Sequence, residues 1–437
     1  MRLEQLKGTR EFLPEEQIVR EYIQDTLKSV FRIYGYKPIE TSILEFYEIG
    51  ASKYAGGAEI LKETYRLKDQ GNRDLILRYE LTFKLAKLVA LNPNLRMPFK
   101  RYEIGKVFRD GPVKSARLRE FTQCDVDVVG IKSVFADAEI VSMVFDVFKK
   151  LKLDVFVQVN NRKLLFGILK EFNVKEEKFV DFALSLDKIE KIGKEEVVKE
   201  LKTKGFNEQT IKKIFSLFEE VSKIKNNKEI LEFLKKRLSN EYAREGIKEL
   251  EDFFDYCSSF GIKEDLLLVI TLARGLGYYT GIMYEVFLKN SSIKSTIAAG
   301  GRWDKMIQDF AQTKQEYPAT GIAFGLDVIY EALKEKNEEL RISIPEILII
   351  TFDNINEGIK IAGELRSVGI SSDIAFNKKL TKALDYANKE RIPFCIIVGE
   401  DEIKKNKFRL KDMNSGNEKL LSMDEIKKFL SEKNNKK

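Results

Sequence analysis

The chain has 437 residues, of which 43% are hydrophobic, 76 are lysine or arginine and 69 are aspartate or glutamate, giving a formal net charge of +7. A chain of this length is too long to fold around a single hydrophobic core, so two or three domains are expected. The modest positive charge permits a nucleic-acid partner without requiring one. The sequence contains no histidine, which excludes imidazole general bases and imidazole metal ligands.

The N-terminal stretch, residues 1–16, is charged and lacks an apolar core, so we expect neither a signal peptide nor a membrane span. Cys124, Cys257 and Cys395 are few and widely spaced. This spacing argues against a disulfide framework or a zinc site and favours a reducing compartment. We therefore expect a cytoplasmic protein.

The first predicted elements are a helix and an edge strand. Apolar residues at helical spacing predict an amphipathic helix over residues 15–34. Residues 37–45 then have strand composition, and Pro38 near their start favours a sheet edge or an interface because proline lacks an amide hydrogen. A plain edge strand is the alternative.

A short apolar run at residues 75–77 leads into Arg78, Glu80 and Thr82, which alternation places on one face. A carboxylate beside a hydroxyl at a strand end suits an ammonium group, since both oxygens accept its hydrogen bonds. Alternatively, Glu80 caps the following helix or forms a surface ion pair.

Residues 101–109 and 120–129 have strand composition and flank a glycine- and proline-containing loop, which predicts a long antiparallel hairpin. Gln123, Asp125 and Asp127 then share one face, and such a polar row indicates a pocket rather than an apolar core. The hairpin tip carries Lys114 and Arg117 and suits phosphate. The segment therefore predicts a small polar ligand bound beside a polyphosphate.

The amino-acid composition changes between residues 171 and 260. Proline is absent there, and Leu, Ile and Phe recur every three or four residues among lysines and glutamates. This pattern predicts a helical module inserted between sheet segments. Sheet composition returns at Leu266.

A second diagnostic stretch, residues 271–287, places glycines around Arg274 and the Tyr278-Tyr279 pair. The glycines allow close backbone approach, and a planar hydroxylated ring suits a planar polar ligand, although packing is the commoner role of such rings. Residues 299–304 and 318–329 add further runs of glycine and small residues. Such spacing is weak evidence by itself.

A charged linker over residues 334–343 separates a last domain. Strands are predicted at residues 346–352, 371–376, 393–398 and 407–413, with helices at 356–368, 380–389 and from 424, which indicates a small α/β domain with a mixed sheet. Residues 341–437 carry 19 basic and 15 acidic residues, so RNA binding is expected there.

These motifs together resemble the histidyl-tRNA synthetase family. The resemblance rests on Phe-Arg-Asp-Gly-Pro at Arg109, on Arg-Leu-Arg-Glu-Phe-Thr-Gln-Cys-Asp-Val-Asp from Arg117, on Arg-Gly-Leu-Gly-Tyr-Tyr-Thr-Gly from Arg274, and on the Gly-Glu-Asp-Glu end of the last apolar strand. It covers nearly the whole chain, with the helical insert least distinctive.

The resemblance implies an α+β fold: a class II synthetase core with an antiparallel sheet and helices, a helical insert, and a C-terminal α/β anticodon-binding domain. The implied boundaries are 1–170 and 261–333 for the core, 171–260 for the insert and 341–437 for the anticodon-binding domain. Dimerisation through the Pro38 strand is implied as well.

The activity implied by the resemblance is formation of histidyl-adenylate from histidine and ATP, followed by transfer of histidine to the 3′ end of its tRNA. Glu80 and Thr82 would hold the α-ammonium group. Gln123, Asp127 and Tyr279 would surround the imidazole, with Tyr278 beside them.

For ATP, the resemblance implies that Arg109 binds the α-phosphate, Arg117 the outer phosphates and Phe121 the adenine, while Arg274 faces Arg109 across the reacting centre. Magnesium would accompany the departing pyrophosphate. Attack of a carboxylate on phosphorus removes no proton, so a chain without histidine can catalyse this step by positioning and electrostatics.

Several positions depart from the family pattern. Gly277 replaces a common aspartate, Trp303 a tyrosine, and Gly111 a frequent glutamate. Val328 stands where the third class II motif usually supplies an arginine to the γ-phosphate. ATP is therefore expected to be held differently, by Arg117 and magnesium, or activity is weakened.

Two other functions fit parts of the sequence. The first is a non-catalytic relative, such as a regulatory subunit of ATP phosphoribosyltransferase, which keeps the core but senses histidine; Val328 favours it, whereas Arg274, the tyrosine pair and the C-terminal domain oppose it. The second is a structural RNA-binding protein, which leaves the polar pocket unexplained.

Overall fold

The computed structural model describes residues 3–53, 61–113, 118–275, 277–336 and 345–434. The chain divides into two compact units, Met1–Glu338 and Glu339–Lys437. Among the described residues, no helix has both the length and the apolar character needed to cross a membrane.

Unit 1 combines helices with three-residue to ten-residue strands. Its helices are α1 (Pro14–Ile33), α2 (Tyr47–Lys53), α3 (Thr82–Leu91), α4 (Phe135–Lys150), α5 (Arg162–Glu171), α6 (Phe179–Leu186), α7 (Ile189–Thr203), α8 (Glu208–Ser222), α9 (Asn227–Arg237), α10 (Glu241–Ser259), α11 (Met306–Ala311) and α12 (Leu326–Glu335), with a 3-10 turn at Glu176–Lys178. Its strands, after a two-residue bridge β1 (Lys37–Pro38), are β2 (Leu44–Phe46), β3 (Arg66–Lys68), β4 (Asp74–Leu77), β5 (Phe99–Phe108), β6 (Glu120–Val129), β7 (Val155–Asn161), β8 (Leu266–Leu268), β9 (Ile282–Leu288), β10 (Ala298–Arg302) and β11 (Ala319–Gly325).

The main sheet of unit 1 has the order β1-β5-β6-β11-β10-β9-β7-β8 within the described residues. Its inner pairs are antiparallel, whereas β1 joins β5 and β8 joins β7 in parallel. The antiparallel-rich sheet with helices confirms the predicted fold class. The predicted hairpin is confirmed too, because β5 and β6 pair over their full length from Phe99 with Val129 to Phe108 with Glu120.

The single strand predicted over residues 37–45 is wrong. The chain pairs with β5 only at Lys37–Pro38 and pairs again at Leu44–Phe46, in a separate sheet of order β2-β4-β3. Between them, the backbone N–H and hydroxyl of Thr41 donate to the buried Glu103 carboxylate at 2.9 and 2.8 Å. Because the buried carboxylate of Glu103 accepts the backbone N–H of Thr41, this N–H does not form a backbone hydrogen bond with β5. Pro38 does lie at the sheet edge, as predicted.

The predicted alternation through Thr82 is also wrong at Arg78, because β4 ends at Leu77. The Arg78 guanidinium turns towards β5, where it donates to the carbonyl of Lys106 at 2.7 Å and to Glu103 at 2.8 Å. A Cβ on Gly105 would lie only 2.2 Å from Nη2 of Arg78, so glycine makes the space for this guanidinium. Arg78 therefore does not share a face with Glu80 and Thr82.

The helical segment predicted between the sheet strands is confirmed by the helices from α6 to α10. Its last helix, α10, is tied to the start of α5, since Glu249 accepts hydrogen bonds from the amide of Asn161 and from Lys163, both at 2.7 Å. The boundaries 171–260 as a domain of its own stay a prediction.

Unit 2 is an α/β domain built on a mixed sheet of order β13-β12-β14-β15-β16. The strands are β12 (Ile347–Thr351), β13 (Ser372–Phe376), β14 (Phe394–Val398), β15 (Phe408–Asp412) and β16 (Glu418–Leu421), and the helices are α13 (Ile355–Ser367), α14 (Leu380–Lys389), α15 (Glu400–Lys405) and α16 (Met423–Asn434). Hydrophobic clusters fill both sheet faces, which confirms the predicted mixed α/β architecture. Prediction missed β16 and α15, and most of the predicted linker lies outside the described residues.

Candidate active site

A cavity of about 200 Å³ opens on one face of the main sheet of unit 1. The site residues predicted from the sequence that line it are Glu80, Thr82, Arg109, Phe121, Gln123, Asp127, Arg274, Tyr278 and Tyr279. Arg117, the remaining predicted residue, lies outside the described residues. The structure thus brings three separate segments of the chain, residues 80–82, 109–127 and 274–279, to one place.

The hairpin supplies the polar floor of the cavity. Its register sets Asp127 opposite Arg101, Asp125 opposite Glu103 and Gln123 opposite Gly105, and directly opposed residues share a face. Gln123, Asp125 and Asp127 all line the cavity and are at most 8% exposed. The amide of Gln123 donates to Asp125 Oδ1 at 3.2 Å, which orients the Gln123 carbonyl oxygen away from Asp125.

Asp127 is in contact with residues from three other parts of unit 1. Its Oδ2 lies 2.7 Å from Nη2 of Arg101, and the Trp303 side chain hydrogen-bonds to the carboxyl group. Burial raises the pKa of Asp127 to about 6, although Arg101 and Trp303 both act to lower it. A Cβ on Gly321 would lie 1.8 Å from Asp127 Oδ1, so the bare backbone of β11 is what admits this carboxyl group.

Asp125 is the second carboxyl of the cavity floor. Burial raises its pKa well above the usual range, and the neighbouring carboxyls of Asp127, Glu80 and Glu103 raise it further, against the lowering effect of Arg101. Like charges held close together in a buried site do not all ionise. Burial and the neighbouring carboxyls therefore both oppose ionisation of Asp125.

Glu80 lies in the turn between β4 and α3 and is 4% exposed. The hydroxyl of Tyr278 donates to its Oε2 at 3.3 Å. Burial raises the pKa of Glu80 to about 7, with Arg109 acting to lower it. The alternative of a helix cap does not hold, because Leu81 is the N-cap of α3 and makes no side-chain capping bond.

Arg109 and Arg274 both line the cavity, from different chain segments. The guanidinium carbon of Arg109 lies 4.3 Å from the ring centre of Tyr79 and 4.9 Å from that of Phe121. Arg274 lies 2.5 Å from Glu285 and has a positive φ of 52°. Its carbonyl accepts a hydrogen bond from Arg162 at 3.2 Å, which helps to hold this left-handed backbone in place.

Apart from Oδ2 of Asp127, which lies beside Arg101, three buried polar atoms of these cavity residues have no hydrogen-bond partner within the described part of the chain: Oε1 of Glu80, Oε1 of Gln123 and Nε of Arg274. Buried polar groups are normally paired, so such atoms point to a ligand. The two oxygens require donors and the guanidinium requires an acceptor. A ligand with a cationic amino group beside a carboxylate or phosphate satisfies all three.

Sequence reasoning missed two groups that shape this site. Arg101 contacts Asp127 from the facing strand, and it could have been found by pairing the two predicted strands residue by residue. The second group is the cavity wall from β10 and β11, made largely of alanine and glycine. The sequence shows the small residues at 299–304 and 318–325, but it does not show that they form the wall of a cavity.

Two of the departures from the family pattern line cavities. Trp303 lines the cavity and is 2% exposed. Val328 lies in the first turn of α12 and lines a second cavity, together with Lys294, Glu331 and Lys334.

Comparison with known proteins identifies relatives of the whole chain. The family model described as histidyl-tRNA synthetase matches residues 8–329, and the model described as anticodon binding domain matches residues 329–433. The chain belongs to the histidyl-tRNA synthetase family. It is 46% identical to histidine–tRNA ligase 1 of Bacillus cereus over 98% of this chain and 100% of the relative, and 37% identical to the histidine–tRNA ligase of Clostridium tetani over 97% of each.

Solved structures agree with this assignment. The histidyl-tRNA synthetase of Nostoc sp. PCC 7120 superimposes with a TM-score of 0.85 and 29% identity, covering 99% of this chain and 100% of that one. A Bacillus halodurans protein described as an ATP phosphoribosyltransferase regulatory subunit/histidyl-tRNA synthetase gives a TM-score of 0.73 at 22% identity, covering 89% and 97% of the two chains. The latter likeness shows the shared fold alone.

Proposed function

We propose that the protein is a histidine–tRNA ligase, which joins histidine to ATP as histidyl-adenylate and then transfers histidine to the 3′ end of its tRNA. The observation that carries this proposal is the pair of unpartnered buried oxygens on Glu80 and Gln123 in one cavity with Arg109 and Arg274. The membership of the family supports the same activity.

Histidine would bind against the acidic part of the cavity. Glu80 would accept hydrogen bonds from the α-ammonium, with the hydroxyl of Thr82 as a further acceptor. Asp127 and Gln123 would surround the imidazole together with Tyr279, while Tyr278 keeps Glu80 in place through the hydrogen bond at 3.3 Å. A ring without an N–H opposite Asp127 would leave a buried carboxylate unpaired, and this mismatch provides selectivity.

ATP would bind against the basic part. Arg109 would contact the α-phosphate, Phe121 would stack on adenine, and Arg274 would approach the histidine carboxylate and the α-phosphate from the other side. Each arginine stabilises the charge that develops on the phosphate, by about 3 kcal/mol on the scale of one oxyanion donor. Magnesium would enter with the ATP phosphates as part of the substrate, and Arg117 would hold the outer phosphates in place of the missing arginine at Val328.

The remaining parts of the chain would serve tRNA binding and assembly. Unit 2 would bind the anticodon, consistent with the family model that matches it, and residues 110–117 at the hairpin tip would contact the acceptor end. The exposed strand Lys37–Pro38 lies at the edge of the main sheet, and we propose that it joins a second copy in a homodimer. The domain boundaries given above, with the insert at residues 171–260, and a cytoplasmic location are part of the same proposal.

Exchange of labelled pyrophosphate into ATP, measured with each of the twenty amino acids, tests this function. We expect exchange with histidine alone and charging of histidine tRNA by the same protein. Arg109→Gln is the control, because it should lower exchange by about 100-fold to 1000-fold while histidine binding persists. A protein that binds histidine but supports no exchange would instead be a regulatory relative.

A further inference from the structure

Arg101 is a cation sealed beneath the floor of the cavity. It is 0% exposed, lies on β5 directly opposite Asp127, and brings Nη2 to 2.7 Å from Asp127 Oδ2. Its Nη1 is 4.0 Å from Glu103 Oε2. Arg101 therefore lies within a buried group of carboxyls and does not itself line the cavity.

The fold gives no reason of its own for this buried charge. Buried ion pairs are often replaced by apolar side chains of similar volume without loss of stability, since burying two charges costs as much as their attraction returns. Here the arginine contacts the residue proposed to choose the amino acid side chain. The two Asp127 oxygens indicate a reason for burying Arg101 here. Oδ2 faces Arg101, while Oδ1 lies against Gly321, which lines the cavity.

We propose that Arg101 is a positioning residue that keeps Asp127 an ionised, acceptor-only group aimed into the cavity, and thereby sets selectivity for a ring that donates N–H. The inference rests on the proposed function and deepens it. An ionised carboxylate accepts hydrogen bonds and donates none, whereas a protonated one can also donate. With Arg101 in place, a ring nitrogen that lacks hydrogen meets only oxygen lone pairs.

The groups around Asp127 would otherwise favour its protonation. Glu103 extends from β5, Asp125 from β6 and Glu80 from the turn before α3, and the ring of Tyr36 lies in the same buried region. The Trp303 side chain is a further hydrogen-bond partner of the Asp127 carboxyl. Without Arg101, these carboxyls would lack the cation that each of Asp125 and Asp127 now has as its main attractive partner.

Arg101→Met tests the inference in the full-length protein. The readout is pyrophosphate exchange with histidine and with 3-(4-thiazolyl)alanine, whose ring nitrogen carries no hydrogen. We expect the preference for histidine, as a ratio of kcat/KM values, to fall by about a hundredfold, because a protonated Asp127 can donate to the thiazole nitrogen. The KM for histidine should rise about tenfold, and the KM for ATP should stay within about twofold.

Arg78→Met is the matched control. Arg78 is also a buried arginine paired with a carboxylate, Glu103, at 2.8 Å, but it does not line the cavity or contact Asp127. It should reduce thermal stability and leave the ratio of the two substrates unchanged. A lower ratio in both variants would show a general loosening of the sheet and overturn the inference.

Arg101→Lys is a second variant that tests the inference if Arg101→Met does not fold. A lysine retains the charge but lacks the planar fork of donors, so the ratio should fall by about threefold to tenfold. An unchanged ratio in Arg101→Lys or in folded Arg101→Met would refute the role of Arg101 alone. Absence of histidine-dependent exchange in the unmodified protein would instead refute the proposed function.

Discussion

Glu80→Gln should make the protein more stable at pH 8 while abolishing its activity. Burial raises the pKa of Glu80 from 4.5 to about 7, so the folded state binds this proton more tightly than the unfolded chain does. The free energy of unfolding therefore falls as the pH rises from about 4.5 to about 7. Each pKa unit corresponds to about 1.4 kcal/mol, and the whole penalty at pH 8 is about 3 kcal/mol.

Chemical denaturation of the two proteins at pH 4.5 and at pH 8 measures this difference. At pH 4.5 the Glu80 carboxyl is largely protonated in the folded state, and the glutamine variant should differ by less than about 1 kcal/mol from the unmodified protein. At pH 8 the variant should be more stable by about 3 kcal/mol. Added histidine should stabilise the unmodified protein and have little effect on the variant, because the ammonium partner is lost.

Glu45→Gln is a matched control with the opposite sign. Glu45 is also buried, but hydrogen bonds from Lys84 and Lys87 overcome the effect of burial and lower its pKa. Its ionised form therefore stabilises the fold above pH 4.5, and that contribution is lost as the pH falls. Glu45→Gln should thus be less stable at pH 8. A stability difference for Glu80→Gln that stays constant with pH would refute the reasoning.

Four further substitutions test the other parts of the proposed site. Arg109→Gln and Arg274→Gln should each lower kcat of histidine-dependent pyrophosphate exchange by about 100-fold to 1000-fold, since both contact the reacting phosphate; Arg109→Gln should leave the KM for histidine nearly unchanged, whereas Arg274→Gln should also raise it through the lost contact with the histidine carboxylate. A change in KM alone would contradict this role. Gly321→Ala would set a Cβ 1.8 Å from Asp127 Oδ1, so the KM for histidine should rise while the KM for ATP is retained, and denaturation should show a loss of about 1–3 kcal/mol. Lys114→Ala, at the hairpin tip outside the described residues, should weaken tRNA charging more than adenylate formation, and an equal loss in both assays would argue against contact with the acceptor end.

The parts of the site that sequence predicts well are those in which local periodicity carries the information. In the hairpin, alternation alone places Gln123, Asp125 and Asp127 on one face, and the structure shows them on the cavity floor. The same rule fixes the pairing once one residue pair is known, because β5 and β6 run without a bulge from end to end. Local pattern and final structure agree here because the strand environment continues along the whole segment.

Prediction failed where a distant buried group decides the local backbone. Arg78 leaves the expected strand face because Glu103, 25 residues further along the chain, takes its guanidinium at 2.8 Å. The same carboxylate accepts hydrogen bonds from the N–H and hydroxyl of Thr41, in place of a continued backbone ladder with β5. Neither short segment contains this acceptor, so no reading of residues 37–45 or 75–82 alone could locate the break. Arg101 was missed for a related reason, since its partner Asp127 comes from the opposite strand.

The cavity holds charged groups of both signs, as the proposed reaction requires. Glu80, Asp125 and Asp127 supply the carboxyl groups, and burial raises the pKa of each above its ordinary value. Arg109 and Arg274 supply the positive charge of the cavity wall. A zwitterionic amino acid with its ammonium at Glu80 would therefore extend its carboxylate towards the arginines, where a phosphate would also be drawn. The step needs no proton acceptor, so positioning and these charges suffice for it, which is consistent with a sequence that contains no histidine.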